Sequence, residues 1–162
     1  MAAKHSAGLL LYRRTHHDHQ IVLEVLLGHM GGPFWARKED AAWSMPKGEY
    51  TLGEEDPLAA AKREFEEELG SPPASVVYRD LGSLRQSGGK LVTAWAGEAD
   101  FDAAGAVSNT FELQWPPGSG QMQHFPEVDQ AGWFPLDVAR VKLVKGQRPL
   151  IDRLVHLLDD PR

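Results

Sequence analysis

The chain reads as a mixed α/β (α+β) sandwich. Short strand-like runs alternate with two or three helical stretches along its length. At 162 residues and 42% hydrophobic content it can bury one real core, so a single domain over residues 1–162 is expected. No internal repeat, low-complexity tract or linker interrupts it.

The elements follow in order. Ala7–Tyr12 (AGLLLY) and Ile21–Leu27 (IVLEVLL) are apolar runs of strand length, joined by a polar, His-rich stretch from Arg13 to Gln20. Gly28–Ala42 is expected to be a loop, since it carries Gly31-Gly32-Pro33. Trp43–Met45 is a short strand that Pro46-Lys47-Gly48 should end. A helix starts near Asp56-Pro57, because Asp caps well and Pro suits the first turn. Leu58, Ala61, Phe65 and Leu69 share its buried face, and Gly70 and Pro72-Pro73 stop it. Strands are expected at Val76–Leu84, Leu91–Ala99 and Thr110–Trp115, with a turn at Ser87-Gly88-Gly89. Asp100–Asn109 and Pro116–Pro126 have loop composition, and Gly132–Phe134 is a last short strand. Leu136–Leu143 and Pro149–Leu158 close the chain as helices, the second with Leu150, Leu154, Leu157 and Leu158 as its apolar stripe.

Charge and composition exclude several partners. A net charge of −6 disfavours nucleic acid polymers and anionic membranes, which select basic surfaces. A small phosphate compound bound through a metal remains compatible. With no cysteine, disulfides and thiolate metal sites are ruled out. Met1–Ser6 lacks a secretory apolar region, and Ile21–Leu27 is too short to span a bilayer, so a cytoplasmic location is expected. The sequence does not speak to oligomeric state.

The chemistry concentrates in Arg63-Glu64-Phe65-Glu66-Glu67-Glu68-Leu69-Gly70. On a helix, Glu64, Glu67 and Glu68 are neighbours beside the core stripe, and Glu66 points away. Such a face is either solvated or holds a cation. Oxygen donors without thiolates suit Mg²⁺, with Mn²⁺ possible, and Mg²⁺ bound by a few carboxylates usually shares substrate phosphates.

These residues resemble the Nudix hydrolases, whose box is G-x5-E-x7-R-E-U-x-E-E-x-G-U with U a bulky apolar residue. Gly48 opens it, and Arg63, Glu64, Phe65, Glu67, Glu68 and Gly70 match its second half position by position. The spacing from Gly48 to Arg63 is one residue long, so Glu54 and Glu55 compete for the first Glu; the rigid helix register favours Glu55. The last U position holds Ser71. Trp43-Ser44-Met45-Pro46-Lys47-Gly48 is similar to the W-x-x-P-K-G lead-in of the branch acting on dinucleoside polyphosphates and NTPs. Phe125–Phe134 resembles the acidic loop and Trp strand of many members. The likeness covers roughly residues 6–140.

The resemblance implies an α/β/α sandwich with a central mixed β-sheet and a Mg²⁺-dependent pyrophosphohydrolase acting on a nucleotide substrate. It implies Glu64, Glu67, Glu68, Glu127 and the Lys47 carbonyl as metal ligands. Glu127, then Glu64, is the candidate general base, and Glu67 completes the catalytic set. Gly48, Glu55, Arg63 and Gly70 take structural roles, Arg63 by pairing with the glutamates. Lys47 could also place its ammonium on a phosphate. Phe34, Trp35 and Trp43 flank the box and could stack on a nucleobase; core packing is the alternative for each. Two other functions stay open: sanitising oxidised dNTPs, for which Asn109 or Asp129 could read a purine edge, and a noncatalytic nucleotide-binding module.

Overall fold

The computed structural model describes residues 4–159, and of Ser87 its backbone alone. The reading of Met1–Ala3 as free of a leader lies outside the described residues. In chain order the elements are β1 (His5–His17), β2 (Gln20–Met30), β3 (Trp43–Ser44), β4 (Lys47–Tyr50), α1 (Pro57–Leu69), β5 (Arg79–Arg85), β6 (Leu91–Glu98), β7 (Thr110–Gln114), β8 (Met122–Pro126), β9 (Val128–Pro135), α2 (Leu136–Lys142) and α3 (Pro149–Asp159). Single 3₁₀ turns occupy Ser87–Gly89, Ala103–Gly105 and Lys145–Gln147.

The larger sheet runs β3-β2-β1-β6-β5, with β4 added to β1 and β9 to β2. The β1–β6 pair is parallel and the other pairs are antiparallel, so the sheet is mixed. Both faces are covered. Leu10, Tyr12, Val25 and Leu27 point to the side closed by Ala139, Leu143, Leu150, Ile151 and Leu154 of the C-terminal region. Leu9, Leu11 and Leu26 point to the side closed by Ala60, Ala61, Phe65 and Leu69 of α1. This explains the continuous apolar stretches at Leu9–Tyr12 in β1 and Val25–Leu27 in β2, since alternate residues there serve opposite faces and both faces are covered. The architecture is the expected α/β/α sandwich.

Several boundaries differ from expectation. β1 and β2 extend well past their apolar cores and meet at a two-residue turn, Asp18-His19, both at positive φ (49° and 66°). That turn suits a tight hairpin, and the His-rich stretch is its exposed ribbon. Gly28–Met30, expected in a loop, continues β2. Lys47–Tyr50 begins a strand instead of ending one, because β4 pairs with the first residues of β1. β5 starts three residues later than Val76. Met122–Pro126, assigned to a loop, pairs with β7 as a separate two-stranded sheet.

Candidate active site

α1 carries the carboxylates, and its ends are fixed locally. The Asp56 side chain accepts from the Ala59 N–H, Pro57 opens the helix, and Gly70 closes it in the left-handed region at φ 85°. Glu64 and Glu68, one turn apart, are buried to 9% and 8% exposure. They flank the core stripe of Ala61, Phe65 and Leu69 and are themselves buried. β4 crosses this helix, and its Gly48 leaves room for the carboxylate: a Cβ there would sit 2.0 Å from the Glu64 carboxyl group. Glu66 is exposed, as the helical wheel requires.

Arg63 organises this face. Its Nε and Nη2 donate to the two oxygens of Glu55 at 2.8 and 2.9 Å, a bidentate pair. Nη1 donates to Glu64 at 2.8 Å and to both oxygens of Glu67 at 3.3 Å. Of the two competing glutamates, Glu55 is the one that meets Arg63. Glu68 turns the other way and accepts from the Lys47 N–H at 3.2 Å.

The electrostatics are crowded. Burial pushes the Glu68 carboxyl up to about 8, and Glu127 and Glu64 push in the same direction against the pull of Lys47. Burial also raises Glu64, helped by Glu67 and Glu127 and opposed by Arg63. Glu127 is raised by desolvation and by Glu67. Lys47 is pushed down by its own burial and by the neighbouring Lys90, against Glu68, Glu49 and Glu64. Carboxylates that desolvate and repel one another in this way suit a hard divalent cation. Among the described residues, no three such side chains are already drawn together to hold one; Glu64 and Glu67 face Arg63, and Glu68 faces the Lys47 N–H.

Two cavities meet at Lys47 and Glu127. The first, about 340 Å³, is a polar cleft lined by Ser6, Lys47, Gly48, Glu49, Glu64, Glu67, Lys90 and Glu127. The second, about 330 Å³, is a chamber that includes Gly31, Trp35, Ser44, Lys47, Glu68, Phe111 and Glu127 in its walls. Volumes of this size are at the small end for nucleotide-sized ligands.

The aromatic candidates separate here. Trp35 faces the chamber. Trp43 does not: it is 2% exposed, its Nε1 donates to Glu39 at 3.2 Å, and its ring packs edge-on against His29 and Phe134. The expectation of base stacking by Trp43 is corrected to a core role, since neither ring face is accessible. Phe34 is 60% exposed and packs edge-on against Trp115, outside the chamber walls. Sequence reasoning missed Lys90 and Phe111. Lys90 follows a Gly-Gly turn and Phe111 sits in an ordinary strand pattern, so neither carries a local signal.

A family model, the NUDIX domain, matches residues 4–154. The chain belongs to the Nudix family. An RNA pyrophosphohydrolase of Rhodospirillum rubrum is 30% identical over 138 residues, covering 81% of both chains. An 8-oxo-(d)GTP phosphatase of Mycolicibacterium smegmatis is 31% identical over 146 residues, 85% of this chain but 37% of that protein. The chain thus spans little more than a third of that second relative. The NUDIX domain of Shewanella oneidensis NrtR, solved with ADP ribose, superposes with a TM-score of 0.63 at 18% identity, over 98% of this Nudix chain and 90% of the other. This Nudix protein is a hydrolase acting on phosphoric anhydride bonds, in a family that uses divalent metal ions. None of its described helices is long and apolar enough to cross a membrane.

Proposed function

We propose that this Nudix protein is a Mg²⁺-dependent pyrophosphohydrolase of nucleoside diphosphates linked to a further group, acting on nucleoside triphosphates or dinucleoside polyphosphates. One observation carries the reading: an aromatic chamber and a carboxylate cleft share Lys47 and Glu127 as a common wall. A nucleoside in the chamber would send its phosphates past Lys47 into the cleft.

Each residue then has a task. Trp35 and Phe111 offer apolar rings to the base. Lys47 and Lys90 set positive charge beside the phosphates, and Arg63 orients Glu64 and Glu67. Glu64, Glu67 and Glu68, with the Lys47 carbonyl, would hold the divalent ion. When bound, that ion supplies Lewis-acid polarisation and an acidified water. Glu127, on the shared wall, is the first-choice base for the proton of the attacking water, and Glu64 the second.

The oxidised-dNTP reading loses its proposed readers. Asp129 is engaged at 2.7 Å by His29, whose other nitrogen meets the Lys38 carbonyl at 2.6 Å. Asn109 is exposed and neither residue lines the chamber. The Ser44 hydroxyl, which does line it, already donates to the Met45 carbonyl and accepts from Gln147. The noncatalytic reading has against it the full set of box carboxylates.

The test is phosphate or pyrophosphate release with Mg²⁺ from a panel of NTPs, Ap4A, 8-oxo-dGTP and a 5′-triphosphorylated oligoribonucleotide. Turnover of NTPs or Ap4A with little preference for 8-oxo-dGTP over dGTP supports the proposal. Equal behaviour of wild type and Glu67→Gln on every compound would sink it.

A further inference from the structure

Between the 3₁₀ turn at Ala103–Gly105 and β7, the chain passes through the gap separating the end of α1 from Glu127. The Val107 N–H donates to the Leu69 carbonyl at 3.1 Å, and the Asn109 N–H to the Glu67 carbonyl at 2.8 Å. Those carbonyls belong to the last helical turn, which lacks intrahelical donors. On the other side, the Glu127 N–H donates to the Asn109 carbonyl at 2.9 Å. The Ser108 hydroxyl accepts from the Val128 N–H at 3.0 Å and donates to the Asn109 carbonyl at 2.7 Å. A single dipeptide, Ser108-Asn109, is therefore bonded to Glu67 on one flank and to Glu127 and Val128 on the other.

The approach depends on the helix stop. A Cβ on Gly70 would come 2.5 Å from the Val107 carbonyl oxygen. Gly70 thus serves two ends at once, the left-handed turn and the close passage of this strap. Val128 is buried in the α1-side core, so its N–H has little access to water as a substitute partner.

We infer that Ser108 is a positioning residue that fixes the backbone of Glu127 relative to the carboxylates of α1. The inference rests on the function proposed above, in which Glu127 and the α1 glutamates work on one phosphate. The other bonds of the strap join main chain to main chain and survive ordinary substitution. The Ser108 hydroxyl is the one that a side-chain change deletes. It acts through Glu127 and Val128 and touches no substrate.

The experiment compares Ser108→Ala with Ser108→Thr, which keeps a hydroxyl. Amide exchange of Val128 is followed in metal-free protein, and kcat and KM are measured on the nucleotide that wild type turns over fastest. Ser108→Ala should speed Val128 exchange about tenfold and lower kcat about tenfold while KM stays within about twofold; Ser108→Thr should restore both. Unchanged Val128 exchange in Ser108→Ala overturns the inference. So does faster exchange with wild-type kcat, or a loss carried by KM alone, because a merely structural serine would give those results. Were wild type inert on every nucleotide, the proposed function would fall, and Val128 exchange alone would judge the strap.

Discussion

The two sides of the Lys47–Glu127 wall are built in opposite ways. On the cleft side, Glu64 and Glu67 come from one helix and both pair with Arg63 of that helix, which also holds Glu55; Glu68 of the same helix turns to the chamber and accepts from the Lys47 N–H. On the chamber side, the walls come from separate stretches: the end of β2, Trp35 in the following loop, Ser44 in β3, Phe111 in β7 and Val128 in β9. The paired glutamates of the cleft are thus neighbours in sequence, whereas most of the chamber wall comes from distant segments. A change in one of those segments can reshape the chamber and leave the cleft standing.

This contrast can be broken most sharply at the cleft. Glu67→Gln should lower kcat by about 10³-fold with an unchanged circular dichroism spectrum, on the scale of losing one charge-stabilising group in an active site. A loss below tenfold would mean that the cleft is not the reacting side. Gly48→Ala should follow, with a loss of about 10²-fold in kcat/KM, since its Cβ must displace the Glu64 carboxylate. Rescue of that variant by the smaller acid in Gly48→Ala/Glu64→Asp would locate the damage at the carboxylate.

The chamber should respond in KM. Phe111→Ala is expected to raise KM about tenfold with kcat within about twofold, the range of one lost stacking partner. A fall confined to kcat would place the base elsewhere. Trp43→Ala makes the control: as a core residue it should lose about 3–5 kcal/mol of stability, read as a large fall in melting temperature.

Stability in divalent-free buffer should also depend on pH, through Glu68. A carboxyl raised from 4.5 to about 8 binds its proton more tightly in the folded state. Its burial is tolerated at low pH and becomes a growing cost as pH rises through that interval. The melting temperature should fall from pH 5 to pH 8, and added Mg²⁺ should restore it more at pH 8 than at pH 5. A melting temperature that rises with pH and ignores Mg²⁺ contradicts the crowded-carboxylate picture. The smallest effect belongs to Glu54→Gln, which should leave kcat/KM within about twofold, whereas Glu55→Gln, which loses the bidentate Arg63 pair, should exceed it.

Legibility followed the same divide. α1, its Asp56 cap, its Gly70 stop and the carboxylate set were readable, because each depends on residues within one or two helical turns. The preference for Glu55 over Glu54 rested on helix register, and the Arg63 pairing agrees with it. The burial of Glu64 and Glu68 was hidden, because β4 reaches them only through the antiparallel pairing of Lys47–Tyr50 with β1. Trp43 and Trp35 look alike in sequence, both aromatic and both near the box, yet one packs into the core and the other lines the chamber. β8 escaped because Met122, Gln123 and His124 are all exposed and show no alternation of burial. The strap at Val107–Asn109 has no side-chain signature apart from Ser108, since backbone groups make its other bonds.

Gln147 carries a consequence for where this domain can be cut. It is fully buried, about a hundred positions downstream of the residues it touches: its Oε1 accepts from the Met45 N–H at 3.0 Å, and its Nε2 donates to the Ser44 hydroxyl at 2.9 Å. A fragment ending near residue 140 would retain every glutamate of the box and still leave the Met45 N–H, just ahead of Pro46-Lys47-Gly48, without its acceptor. Expression boundaries, fusion joints and nicking sites in this chain therefore belong beyond α3, whose Leu150, Ile151 and Leu154 also close the sheet, although the last recognisable box residue lies near the middle of the sequence.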